Sequence, residues 1–144
     1  MTVAAILRHK GREVFTVHPS ATIAEVADVL SQKGIGAVLV VDEARQLLGV
    51  VSERDIVRSL SANGAATLEM TAGQLMTRPL QTASPQTTII DAMRKMTAGR
   101  FRHVPVVDNG ELVGLVSIGD VVKARIMEQE EEVDSLKAYI AGAA

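Results

Sequence analysis

The sequence contains no cysteine. That removes disulfide frameworks and thiolate catalysis, and makes a reducing cytoplasm the natural setting. Aromatic side chains are nearly absent at 2% of residues, so any core must be built from aliphatics. An excess of one charge is missing too. The formal net charge of −2 argues against a nucleic-acid binder held by bulk electrostatics. Long apolar runs are lacking: stretches such as Ala37–Val41 fall far short of the ~20 residues a membrane helix needs. Near the N-terminus the apolar residues 3–7 run into Arg8, His9 and Lys10, which argues against a signal-peptide core. The three histidines, His9, His18 and His103, have no carboxylates at ligand spacing, so no metal site is expected.

What is present is a chain of 144 residues, 47% hydrophobic and 22% charged, enough for one compact domain or two small interdependent ones. Its main feature is an internal duplication. Thr16, Pro19, Thr22, Ile23, Val38, Val40, Val41 and Asp42 recur 66 positions later as Thr82, Pro85, Thr88, Ile89, Val104, Val106, Val107 and Asp108. One turn residue is then lost. Leu47, Gly49, Val51, Ser52, Asp55 and Val57 recur after 65 positions as Leu112, Gly114, Val116, Ser117, Asp120 and Val122.

Each copy reads as strand–helix–strand–strand–helix. Thr22 with Glu25, and Thr88 with Asp91, are capping-box pairs before faces made of Ile23, Val26, Ala27 and Leu30, and of Ile89, Ala92, Met93 and Met96. Gly34 marks the end of the first helix, with Gly99 one position earlier in its copy. Asn109-Gly110 is a two-residue hairpin turn. The expected fold class is α/β (α+β), with the two repeats packed sheet to sheet. The boundaries are a lead-in helix plus first repeat at 1–62, a linker at 63–70, a second repeat at 71–126, and a C-terminal helical extension at 127–144. In that extension Ile126, Val133, Leu136 and Ile140 follow spacings of 7, 3 and 4 beside the acidic block 128–132. The seam reads either as a cover for its own domain or as a helix pairing between subunits.

The duplicated chemistry lies in Ser52-Glu-Arg-Asp55 and Ser117-Ile-Gly-Asp120. In each a strand runs into a helix with Ser at the N-cap and Asp at the third helical position. The hydroxyl satisfies an orphan N–H, and the carboxylate sits at the positive end of the helix dipole. The same geometry offers backbone N–H groups to a phosphate and a carboxylate to a pair of hydroxyls, such as a ribose diol. The plain alternative is that both are only caps.

Two copies of T-x-x-P-x-x-T-I, V-x-V-V-D and L-x-G-x-V-S-x-x-D resemble tandem CBS domains, the Bateman module, over residues 2 to about 126. The stretches 102–108 and 52–57 are similar to those of small stand-alone bacterial members. The resemblance implies a pseudo-twofold-related pair of repeats with two clefts between the sheets that take an adenine nucleotide as regulatory ligand: AMP first, with ATP, ADP, NAD or S-adenosylmethionine in other members. It also implies a homodimer. It places the ribose acid on Asp55 and Asp120, the ribose or phosphate hydroxyl on Ser52 and Ser117, and the adenine-pocket threonine on Thr16 and Thr82. The backbone beside the base falls on Ile35, Gly36, Ala37 and Val38, and on Phe101, Arg102, His103 and Val104, followed by Pro105. The phosphate-facing basic positions fall on Arg102 and His103, with Arg100 close by. The first copy has Gly36 and Ala37 there, so its positive charge must come from Arg54 or Lys10, or from the second copy's arginines, or the site takes a less charged ligand.

The expected function is a cytoplasmic ligand-sensing module rather than an enzyme. No nucleophile–base pair stands out, and two repeats leave no room for a catalytic barrel. The effector it would regulate is not legible. The competing reading is a ligand-independent dimerisation or adaptor scaffold.

Overall fold

In the computed structural model the described residues are 1–78 and 81–143; positions 79, 80 and 144, which the repeat boundaries above include, lie outside them. Five strands and six α-helices follow in the order α1 (Val3–Lys10), β1 (Thr16–Val17), α2 (Ile23–Lys33), β2 (Ala37–Val41), β3 (Leu47–Ser52), α3 (Glu53–Asn63), α4 (Ala72–Leu75), α5 (Ile89–Gly99), β4 (His103–Asp108), β5 (Glu111–Ser117) and α6 (Ile118–Ala143). The class is mixed α/β, as the repeat pattern requires.

The chain forms two compact units that do not coincide with the two sequence repeats: one comprises Met1–Arg12 with Gln81–Ala144, the other Glu13–Leu80. Each lead-in has crossed to the other copy. In the first of these units, Val3 N donates to Thr87 O at 2.8 Å, Ala4 N to Pro85 O at 2.9 Å, and Ile89 N to Met1 O at 3.2 Å. In the other, Ala72 N donates to Ala21 O at 2.8 Å, Gly73 N to Pro19 O at 2.9 Å, and Ile23 N to Met70 O at 2.8 Å. The same three bonds are made twice.

This exchange also corrects the capping pairs. Thr22 and Thr88 do cap α2 and α5, accepting from Glu25 N at 3.2 Å and Asp91 N at 3.1 Å. Neither carboxylate reaches back, so the boxes are one-sided. The donor that follows each cap, Ile23 N or Ile89 N, is met by the lead-in backbone.

In the Glu13–Leu80 unit, β1 pairs parallel with β2, which pairs antiparallel with β3. Behind them pack Ile23, Val26, Leu30 and Ile56. In the other unit the opening strand shrinks to one parallel bridge, Ala83 with Val106, beside the β4–β5 hairpin. Pro105 explains the loss. Its counterpart Leu39 donates its N–H to Phe15 O at 3.0 Å, a bond proline cannot make. The core here is Leu7, Ile89, Met96, Val104, Val106, Val116 and Val121.

One turn and the linker segment differ from the sequence expectation in detail. The αL position closing α5 is held by Arg100 at φ 55°, the counterpart of Gly34 at φ 62°, while Gly99 is still helical. Gly99 is small for another reason: a Cβ there would meet the Phe101 ring at 2.0 Å. The segment expected as a linker is itself ordered. Gly64–Glu69 is a 3-10 helix whose Thr67 is fully buried and bonded to Ser59 Oγ at 2.8 Å. The Asn109-Gly110 turn is as expected, with both φ positive, at 51° and 80°.

Candidate functional site

Both Ser-x-x-Asp helix starts form reciprocal capping boxes. At α3, Ser52 N donates to Asp55 Oδ2 at 2.8 Å and Asp55 N to Ser52 Oγ at 3.3 Å. At α6, Ser117 N donates to Asp120 Oδ2 at 2.8 Å and Asp120 N to Ser117 Oγ at 3.1 Å. The hairpin register fixes what lies beside each box. Ala37 pairs with Ser52, and Gly36 O accepts from Glu53 N at 2.9 Å. His103 pairs with Ser117, and Arg102 O accepts from Ile118 N at 2.8 Å. The second copy therefore gathers Arg102, His103, Ser117 and Asp120 at one end of its hairpin, with Arg100 and Phe101 leading in. The first copy gathers Gly36, Ala37, Ser52 and Asp55.

The remaining candidates are spread more widely. Ile35 is half-buried, with its N–H on Leu30 O at 3.1 Å; Val38, Val104 and Pro105 are buried. Thr16 lies in β1 beside Leu39. Thr82 is exposed, and its carbonyl accepts from Lys95 Nζ at 3.2 Å. Arg54, Arg100 and Arg102 are all exposed.

The two acids differ in their partners. Asp55 receives Ser52 N and Oγ on Oδ2, and the Thr77 hydroxyl on Oδ1 at 3.1 Å. Asp120 receives Ser117 N and the Lys10 ammonium, the latter at 2.6 Å, both on Oδ2. Among the described residues, no hydrogen bond falls on Asp120 Oδ1. Lys10 was a candidate source of charge for the first copy, but α1 belongs to the other unit and carries it to Asp120. Thr77 was not foreseen. The common signal for both is the lead-in itself, since Met1-Thr2 recurs as Met70-Thr71.

Partial burial would raise the Asp120 carboxyl, but the Lys10 ammonium and the Ser117 N–H together hold it below the ordinary value of 3.8. A folded value below the unfolded one contributes stability that is present above about pH 4 and is lost as pH falls through the folded value. Replacing Lys10 by methionine is expected to cost ~1 kcal/mol or less at pH 7, since the pair is partly exposed. The gap from the unaltered protein should close towards pH 3, read from urea midpoints at the two pH values.

The sequence profile of the CBS domain matches residues 3–62 and again 72–126. The chain belongs to the CBS domain family and carries two such domains in tandem. Among curated relatives it is 34% identical to the mitochondrial CBS domain-containing protein CBSX3 of Arabidopsis thaliana, across 98% of this chain and 72% of that one. A solved CBS-domain protein from Agrobacterium tumefaciens is 45% identical, covers 86% of this chain and 92% of its own, and superposes with a TM-score of 0.83. A CBS domain protein from Pyrobaculum aerophilum, solved in complex with AMP, is 32% identical over 83% of this chain and 89% of its own, with a TM-score of 0.74. The CBS domain pair of protein MJ0100, in complex with 5-methylthioadenosine and S-adenosyl-L-methionine, is 29% identical over 86% and 98%, with a TM-score of 0.76.

Proposed function

We propose that this protein is a regulatory module that binds an adenine nucleotide, AMP before ATP, ADP or NAD, at its acid-bearing helix starts. The observation that carries the reading is the uncommitted Oδ1 of Asp120. The cap uses Oδ2 alone, which leaves Oδ1, on which no hydrogen bond falls among the described residues, able to accept from a ribose hydroxyl. Ser117 stands beside it, Arg100, Arg102 and Lys10 supply positive charge for a phosphate with the His103 ring next to them, and the backbone of 101–105 with Thr82 supplies the base slot. The relatives solved with AMP, and with S-adenosyl-L-methionine and 5-methylthioadenosine, support an adenine ligand.

The first copy is the weaker site. Asp55 has already taken a hydroxyl from Thr77, and Gly36 and Ala37 offer no charge, so Thr16, Ile35, Val38, Ser52 and Arg54 suit a less anionic adenine ligand. No residue is assigned a catalytic role. The working form is a homodimer in the cytoplasm.

The reading is tested by calorimetric titration of the intact protein with AMP. A charge-assisted hydrogen bond contributes about 1.5–3 kcal/mol, so Asp120→Ala is expected to weaken binding at least tenfold. An unchanged titration curve in that variant, or no binding by the unaltered protein, removes the site and leaves the scaffold reading.

A further inference from the structure

Among the described residues, the C-terminal half of α6 has no neighbour that accounts for its side chains. Val121 and Ala124 bury one face in the core, but residues 129–142 are all exposed. An isolated helical segment of that length is marginal in water, so its helicity calls for a cover. Val122, Ile126, Val133, Leu136 and Ile140 form one stripe, between 40 and 61% exposed, roughly a third of a turn from the buried face. Among the described residues, no helix is long and apolar enough to cross a membrane, α6 included.

We propose that this stripe pairs with the same segment of a second copy as a parallel, in-register, two-stranded coiled coil. The identity of the occupant follows from the residue types. The stripe places Ile126, Val133 and Ile140 at one core position of the heptad, and Val122, Gln129 and Leu136 at the other. β-Branched residues at the first position, with Leu136 at the second, favour two parallel strands, and the polar Gln129 between Val122 and Leu136 favours a single register. The flanking charges agree. In a parallel pair, Arg125 of one helix faces Glu130 of the other and Glu132 faces Lys137, so each contact joins opposite charges and the twofold axis repeats both. Within the single chain Arg125 is shared between Glu128 and Glu132 of its own helix, the latter at 4.0 Å, and its five donors leave capacity for a third carboxylate. The inference rests on the dimer part of the reading above, not on its nucleotide part.

The absence of cysteine makes the test direct. In the full chain, Ile126→Cys and Ile140→Cys are each expected to oxidise to covalent dimers at least tenfold faster than Glu131→Cys, which lies off the stripe. Equal rates would overturn the pairing. Cross-linking only when the first two variants are mixed would overturn its parallel sense. Independently, Leu136→Asp is expected to raise the dimer dissociation constant at least tenfold in sedimentation equilibrium. An unchanged constant would overturn the surface, while AMP titration of the same variant reports separately on the nucleotide reading.

Discussion

Replacing Gly49 by valine is expected to lower the thermal midpoint by roughly 5–10 °C, from a loss of about 2–3 kcal/mol. Strand propensity alone predicts the opposite sign, since valine suits a strand better than glycine by up to ~1 kcal/mol. Space decides the outcome. A Cβ at Gly49 would lie 2.7 Å from Met76 Sδ and 2.9 Å from the Thr77 carbonyl oxygen. The methionine can swing aside, but the carbonyl is pinned by Val50 N at 2.8 Å, and Thr77 N is tied back to Val50 O at 2.9 Å. Moving it also moves the Thr77 hydroxyl from Asp55, so loss of stability should come with a disturbed first-copy helix start. Differential scanning calorimetry checks the first effect; a midpoint equal to that of the unaltered protein would show that the strand accommodates the side chain.

Leu7→Ala is expected to be at least as damaging, at about 3 kcal/mol, because the leucine is almost fully buried and the site has little room to collapse. Its side chain lies over Gly114, where a Cβ would come within 2.7 Å of Leu7 Cδ2. Leucine on α1 therefore fills the hollow that glycine leaves in β5, as Met76 fills the hollow over Gly49. The damage has an address. Although Leu7 belongs to the first repeat in sequence, the amides that lose hydrogen-exchange protection should be those of residues 103–117, with 37–52 affected less. Preferential loss in 37–52 would contradict the exchange of lead-ins.

Repetition explains why so much of this was legible. The spacing of Thr22, Ile23, Val38, Gly49, Ser52 and Asp55 against their later counterparts encodes local structure, because caps, strands and hairpins depend on near neighbours in the chain. The Ser-x-x-Asp helix starts were readable for that reason as far as the serine cap; the return bond from each serine N–H to the aspartate came from the structure. Long-range choices were not. Nothing in Met1-Thr2-Val3 or Met70-Thr71-Ala72 says which copy each will dock on, since both copies offer nearly the same surface, so the Lys10–Asp120 and Thr77–Asp55 contacts were beyond reach. The shortened strand at Ala83 was legible in principle: Pro105 stands where Leu39 donates a hydrogen bond. Arg100 at a left-handed position was hidden by its glycine neighbour.

The crossed lead-ins carry a consequence for dissection and for descent. Splitting the gene at the repeat boundary would sever each half from the helix that completes it, and neither product should be expected to fold by itself. A forebear holding one repeat would have had to borrow that helix from a sister molecule. Joining two such copies in one polypeptide would turn a trade between molecules into a bond within one chain, independent of concentration.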